Sequence, residues 1–256
     1  MILNIDGINV NYIDEGNGTN ILLLHGWGAN IQTMLPIFNM LKSKCRVIAL
    51  DLPGFGESDR PPLPWNSNDY AICVKKFIDV LGVKKVILFG HSHGGRVSII
   101  LSSLFCDLVD KLVLIDSAGV KPKRKIGYYF KIYKYKLLKK IYLQFLGSEN
   151  RKNRLEKFYR KYGSNDYKNT DGVMRKTIVK VINDNVESLL SNICCPTLLV
   201  WGENDSDTPL YMGEKLNKKI KDSGLIILKN AGHYSYVDDY KTFRAVIQSF
   251  LSKELS

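Results

Sequence analysis

Along the chain, short apolar runs alternate with longer segments whose apolar residues recur at helical spacing. Residues 2–5 and 8–13 read as two strands joined at Asp6-Gly7, a hairpin signal. Further apolar runs lie at 20–24, 46–50, 86–89, 111–115, 197–200 and 225–228. Between them, 32–41 and 96–104 are compatible with helices, and 237–251 reads as a closing helix. Another helix shows Tyr70, Cys73, Val74, Phe77, Ile78 and Leu81 on one face, with Asp69 as its predicted cap and Gly82 as its stop. Most strands are continuous apolar runs rather than alternating ones, the mark of strands buried on both faces. The pattern predicts an α/β fold: a doubly wound, mostly parallel sheet with helices on both faces.

Residues 120–190 break this rhythm. Helix-like sequence rich in Lys and Tyr replaces the strand–helix alternation, and Cys195-Pro196 closes the segment before the next strand. The reading is a core domain of residues 1–119 and 191–256, interrupted by a helical cap at 120–190. Phe130, Tyr133, Leu137, Leu138, Ile141, Tyr142 and Phe145 give an amphipathic helix, whose apolar side is expected to face inward over the sheet.

Charge follows the same division. The chain of 256 residues has a formal net charge of +12. Residues 121–180 hold 19 Lys and Arg against 4 Asp and Glu, while the remainder holds 18 against 21. The excess therefore belongs to one segment, a solvated helical face or a surface that favours amphipathic or anionic substrates. No nucleic-acid-binding motif accompanies it. No apolar run has the length of a transmembrane helix, and the first residues lack a basic region and a long apolar stretch, so no secretory signal is read there. Five cysteines, an odd number with one adjacent pair and no metal spacing, suggest reduced, mostly buried thiols in a cytoplasmic protein.

The candidate chemistry centres on residues 86–95. An apolar run ends in Gly90-His91-Ser92-His93-Gly94-Gly95, and a helix-compatible segment follows. Gly90-x-Ser92-x-Gly94 between a strand and a helix is the nucleophile-elbow pattern, which leaves the serine exposed at the apex of a sharp turn. A serine hydroxyl needs a base to take its proton and an acid to orient that base. Of the four histidines, His91 and His93 are too near the serine in sequence to bend back, and His25 ends an early strand. His233, in the loop between the last strand and the last helix, is the candidate base. The acid should lie between serine and base in the chain. Asp205 and Asp207 follow the penultimate strand, and Asp116 ends an earlier one; residue types leave all three open. His91-x-His93 has metal-pair spacing, but no third ligand is suitably placed.

These segments together resemble the α/β-hydrolase superfamily over nearly the full chain. The resemblance rests on His25-Gly26-Trp27-Gly28, the loop from Asp51 to Ser58, the elbow, Trp201-Gly202-x-x-Asp205-x-x-x-Pro209, and Gly232-His233, in the family's order. It implies a Ser92, Asp205 and His233 triad, with Asp205 as the acid, and an oxyanion hole formed by the backbone N–H groups of Trp27 and His93. It implies no metal or organic cofactor. The expected activity is hydrolysis of a carboxylic ester or thioester, a small-molecule acyl substrate, through an acyl-enzyme. C–C bond hydrolysis of a diketone-like substrate, or a ligand-binding homologue with slow turnover, shares the scaffold. A serine at the elbow sets the chain apart from the dehalogenase-like and epoxide-hydrolase-like members, which place an aspartate there.

Overall fold

The computed structural model describes residues 1–123, 126–144, 151–162, 170 and 172–255. Strands β1 (Ile2–Ile5), β2 (Ile8–Glu15), β3 (Asn20–Leu24) and β4 (Arg46–Leu50) come first, with helix α1 (Ile31–Leu41) between the last two. Then follow α2 (Ser67–Val80), β5 (Val86–His91), α3 (His93–Leu104) and β6 (Val109–Ile115). After the insertion come β7 (Thr197–Gly202), α7 (Tyr211–Lys219), β8 (Ser223–Leu228), α8 (Ser235–Asp238) and α9 (Tyr240–Phe250). The insertion itself carries α4 (Ile126–Gln144), α5 (Arg151–Tyr162) and α6 (Gly172–Val181).

One sheet of eight strands runs β1-β2-β4-β3-β5-β6-β7-β8. β1 and β2 pair antiparallel, as do β2 and β4; every pairing from β4 to β8 is parallel. The expected doubly wound α/β sheet is therefore present. The central strands β3 to β7 are buried along most of their length because both faces are covered, whereas β1, β2 and β8 carry exposed positions. In β3, Leu22 and Leu24 join the core under α2, α3 and α7, whereas Ile21 and Leu23 join the core under α1 and α9. Connections leave β3 toward β4 on one side and β5 toward β6 on the other. The carboxyl end of β5 thus lies at the point where strand order reverses, the usual place for a ligand crevice.

Some boundaries differ from the pattern. Asn66, not Asp69, caps α2: its side chain accepts the N–H groups of Asn68 and Asp69, and Asp69 reaches back to the N–H of Asn66. Asp69 is thus the second half of a capping box, three residues inside the helix. The closing helix is two pieces, broken at Asp239, whose side chain caps α9. Three of the five thiols, Cys45, Cys73 and Cys195, are buried, as expected; Cys194 is exposed, and its Sγ lies 2.9 Å from that of Cys106.

The insertion corrects one expectation more seriously. α4 has two apolar rows, and the packed one is not the row of Phe130, Tyr133, Leu137 and Ile141. Of the predicted row, Tyr142 does pack: it and Tyr135, which the row did not include, meet Phe158 of α5, with ring centroids 5.1 and 5.5 Å away. The competing row points outward, with Phe130 71% and Leu137 59% exposed. Phe145, also assigned to this helix pattern, lies outside the described residues. The insertion meets the core through α6 instead, where Met174, Ile178 and Val181 are buried. Replacing both Phe130 and Leu137 with Ser should change stability in urea by less than about 0.5 kcal/mol per site. Ile178→Ala should cost about 2–5 kcal/mol. A comparably large loss from the outer pair would show that this row is covered in solution.

Candidate active site

Ser92 sits between the end of β5 and the start of α3 with φ 51° and ψ −113°, a conformation that L residues rarely adopt. Two backbone bonds fix it: its N–H donates to the Ile115 carbonyl at 3.1 Å, and its carbonyl accepts from the Ala118 N–H at 2.9 Å. The flanking glycines answer to crowding. A Cβ on Gly90 would stand 2.6 Å from the Gly94 carbonyl oxygen, and one on Gly94 would run into the Leu24 carbonyl of the neighbouring strand. Both residues need the missing side chain for close approach.

The loop after β8 brings His233 over this turn. His233 Nε2 lies 3.0 Å from Ser92 Oγ, and Nδ1 lies 2.9 Å from Asp205 Oδ2. With Nδ1–H donating to the carboxylate, Nε2 is free to accept from the serine hydroxyl. Of the three aspartates considered, Asp205 is the one whose carboxylate reaches this ring. Asp207 instead donates its backbone N–H to Asp205 Oδ1, as does Thr208. Asp116 points elsewhere: it accepts the N–H of Gly202, and both the N–H and the hydroxyl of Ser235. Burial pushes its carboxyl up to about 7, although these three donors pull it down.

Electrostatics separates the histidines. Burial pulls the His233 ring down, but the hydrogen bond and charge of Asp205 outweigh it and leave the ring above its ordinary value. Burial likewise raises Asp205, and the bonds from His233 and Thr208 bring it below the usual carboxylate range. His91 is held at about 3, chiefly by burial and then by the neighbouring His233. Burial lowers His25 to about 4. Both are neutral at physiological pH, and both act as fixed hydrogen-bonding groups.

Their partners show residues that sequence reasoning missed as contributors. His91 Nε2–H donates to the His233 carbonyl at 2.8 Å, so it holds the loop that carries the ring. His25 Nε2 accepts the Leu52 N–H at 2.9 Å and Nδ1–H donates to the Gly26 carbonyl at 2.7 Å, which steadies the loop before Trp27. Thr208 Oγ1 lies 2.6 Å from Asp205 Oδ2 and 2.9 Å from the Asp116 carbonyl. Position four after Gly90-x-Ser92 also matters: Arg96 lines the cavity beside the serine. The only sequence signal for Thr208 is its place beside Pro209 in the loop after β7; the histidines carry no signal of role beyond being strand-end residues.

Trp27 and His93 both line this cavity, and their backbone N–H groups have no hydrogen-bond partner among the described residues. The cavity has a volume of about 480 Å³ and reaches from Ser92 and His233 to Ile178 and Val181 of the insertion. Among the described residues no group of three or more metal-ligating side chains exists, and the His91-x-His93 pair is split by its surroundings. No described helix is long and apolar enough to cross a membrane.

A strained serine at the crevice of a doubly wound sheet, reached by a histidine that an aspartate orients, defines a class of fold and site. The chain belongs to the α/β-hydrolase fold family, whose family model matches residues 19–240. It is 28% identical over 272 residues to a 2-hydroxy-6-oxo-6-(2'-aminophenyl)hexa-2,4-dienoic acid hydrolase of Metapseudomonas resinovorans, covering 98% of this chain and 90% of that one. It is 26% identical to Lipase 1 of Psychrobacter immobilis, over 93% of this chain and 81% of the relative. Among solved structures it is similar to a membrane phospholipase A described as a bacterial virulence factor, at TM-score 0.77 and 26% identity, covering 99% of this chain and 86% of that one.

The ring titrations give a direct check. In an NMR titration, His233 should protonate above the ordinary histidine value of about 6.5, whereas His91 should stay neutral through the range where the protein is folded. Asp205→Asn removes the carboxylate whose hydrogen bond and charge chiefly raise His233, so the ring should then titrate at a lower pH than in the unaltered protein. An unchanged His233 titration in Asp205→Asn would break the assigned contact.

Proposed function

We propose that the protein is a serine hydrolase that cleaves a carboxylic ester or thioester through an acyl-enzyme. Ser92 Oγ attacks the carbonyl carbon while His233 Nε2 takes its proton. The carbonyl oxygen becomes an oxyanion and receives the N–H groups of Trp27 and His93, which are in place before the reaction and lose nothing to reorganisation. The tetrahedral intermediate collapses, the leaving group takes the proton from His233, and the acyl group stays on Ser92. Water then repeats the sequence with His233 as base and frees the acid. Asp205 keeps the imidazole in the tautomer that presents Nε2 as acceptor, and it stabilises the imidazolium. The insertion at 120–190 serves as a cap, since Ile178 and Val181 border the cavity.

The single observation that carries this reading is the hydrogen-bonded line from Ser92 Oγ through His233 to Asp205, 3.0 and 2.9 Å long. A second reading, hydrolysis of a C–C bond in a diketone-like substrate, draws support from the dienoic acid hydrolase relative, which is matched over 98% of this chain. The same serine, base and acid serve either bond. Nitrophenyl esters compared with a vinylogous diketone acid distinguish the two by which kcat/KM is larger.

A fluorophosphonate should label Ser92, and Ser92→Ala should lose labelling and lower kcat by roughly four to six orders of magnitude. Normal turnover by Ser92→Ala would overturn the proposal, and a single stoichiometric burst from the unaltered protein would mark a slow binding homologue instead. Asp205→Asn should lower kcat by roughly 10⁴, with Asp116→Asn costing far less; the reverse ranking would move the acid to the earlier strand. The base must be neutral to act. Since the His233 ring lies above its ordinary value, kcat/KM should rise with pH along a limb whose midpoint exceeds about 6.5.

A further inference from the structure

The cavity beside Ser92 holds a charge that this mechanism does not use. Arg96 stands four residues after Ser92, in the first turn of α3, and both residues line the cavity. Arg96 is only 6% exposed. Its Nη1 donates to the carbonyl of Val181, the last residue of α6. Its Nε has no hydrogen-bond partner among the described residues. Asp184 acts on it electrostatically without forming an ion pair. A guanidinium taken out of water calls for a counter-charge and for partners on its remaining donors. The negative end of α6 supplies part of that compensation. The rest is missing.

Next to it lies His93, 3% exposed, with neither ring nitrogen hydrogen-bonded among the described residues. The rings of Trp27 and Tyr70 hold it edge-on at 5.6 and 4.9 Å. Burial first, and then the Arg96 charge, keep this imidazole far below its ordinary value. It is a neutral ring with one donor and one acceptor unused. Both residues line one cavity next to a strained serine, and a buried guanidinium there, with no ion-pair partner among the described residues, is matched by an anionic ligand.

We infer that Arg96, beside His93, forms an anion-binding subsite of this cavity, and that the substrate carries a carboxylate or similar acidic group close to the scissile carbonyl. The inference rests on the serine-hydrolase reading of the same site. Half-esters of short dicarboxylic acids fit this description. The competing role for Arg96 is a strut between α3 and α6, and that role predicts no preference for charge.

Two measurements separate these roles. First, kcat/KM is compared for the mono-4-nitrophenyl ester of glutaric acid and its methyl-capped neutral analogue. The unaltered protein should prefer the acid by roughly tenfold or more. Arg96→Gln and Arg96→Met should bring the ratio close to unity, and Arg96→Lys should keep part of it, because charge survives while the planar fork is lost. Second, calorimetry follows monomethyl glutarate binding to Ser92→Ala, which cannot turn over. Binding should be measurable there and absent when Arg96→Gln is added. Equal rates for the acid and its neutral analogue, or variants that slow both substrates in proportion, would reduce Arg96 to a strut. Failure of Ser92→Ala to bind the half-ester would also sink the subsite. If no ester turns over while Arg96-dependent binding persists, the hydrolase reading falls and the anion subsite stands.

Discussion

Everything at the site depends on the backbone of Ser92 being held where it does not relax. A non-glycine residue at φ 51° and ψ −113° costs on the order of 1–3 kcal/mol. The surrounding sheet over-determines it. The Ser92 N–H is tied to β6 through Ile115, its carbonyl to the loop after β6 through Ala118, and Gly94 packs on the Leu24 carbonyl of β3. Relaxing the turn would pull on strands on both sides of β5. The strain is therefore maintained by the sheet, and it lifts the hydroxyl into the cavity while the unpaired first amides of α3 face the same space.

A second constraint fixes two distant loops against that turn. Asp205 lies three residues beyond Gly202, and His233 lies two residues before Ser235. The buried Asp116 carboxyl accepts from the backbone of both Gly202 and Ser235, so a single side chain at the end of β6 anchors the roots of both loops. His91 adds a hold on the His233 carbonyl from the strand that delivers the serine. These groups act on geometry rather than on the reacting bond. Their neutrality or partial protonation follows from burial, which disfavours charge, and leaves Asp205 as the nearby carboxylate shifted toward its charged form.

What the sequence made legible follows from which signals are local. The strands were readable because each is a short apolar run bounded by turn residues, and the parallel order follows from helices placed between them. The elbow was readable because its glycines are demanded by contacts that Gly90 and Gly94 make at close range. The choice among Asp205, Asp207 and Asp116 was not legible in residue types, since all three end strands or follow them; the family resemblance implied Asp205, and in the folded loops it is the Asp205 carboxylate that meets the His233 ring. The supporting roles of His91, His25 and Thr208 were hidden for the same reason: each depends on a partner far away in the chain or on a turn whose shape composition does not encode. The orientation of α4 was misjudged because its sequence offers two apolar rows. The pairing of Tyr135 and Tyr142 with Phe158 decides between them, and that contact is tertiary.

That last difference changes where specificity resides. The lysine-rich α4 attracts attention in the sequence, yet it turns its apolar row of Phe130 and Leu137 outward. Among the described residues, α6 and the turn after it make several polar contacts with the core. Thr177 accepts the Trp65 N–H at 3.2 Å, Asp184 accepts the Ser67 N–H at 2.7 Å, and Lys180 donates to the Pro64 carbonyl. These polar bonds set the height of Ile178 and Val181 above Ser92 and so the shape of the cavity roof. Exposed lysines act through a solvent that screens charge beyond roughly 8 Å at physiological salt. A group inside the cavity is screened far less. Under the proposed hydrolase reading, the surface charge of the insertion bears mainly on encounter, whereas discrimination between substrates falls to the few side chains that α3 and α6 bring to the cavity wall.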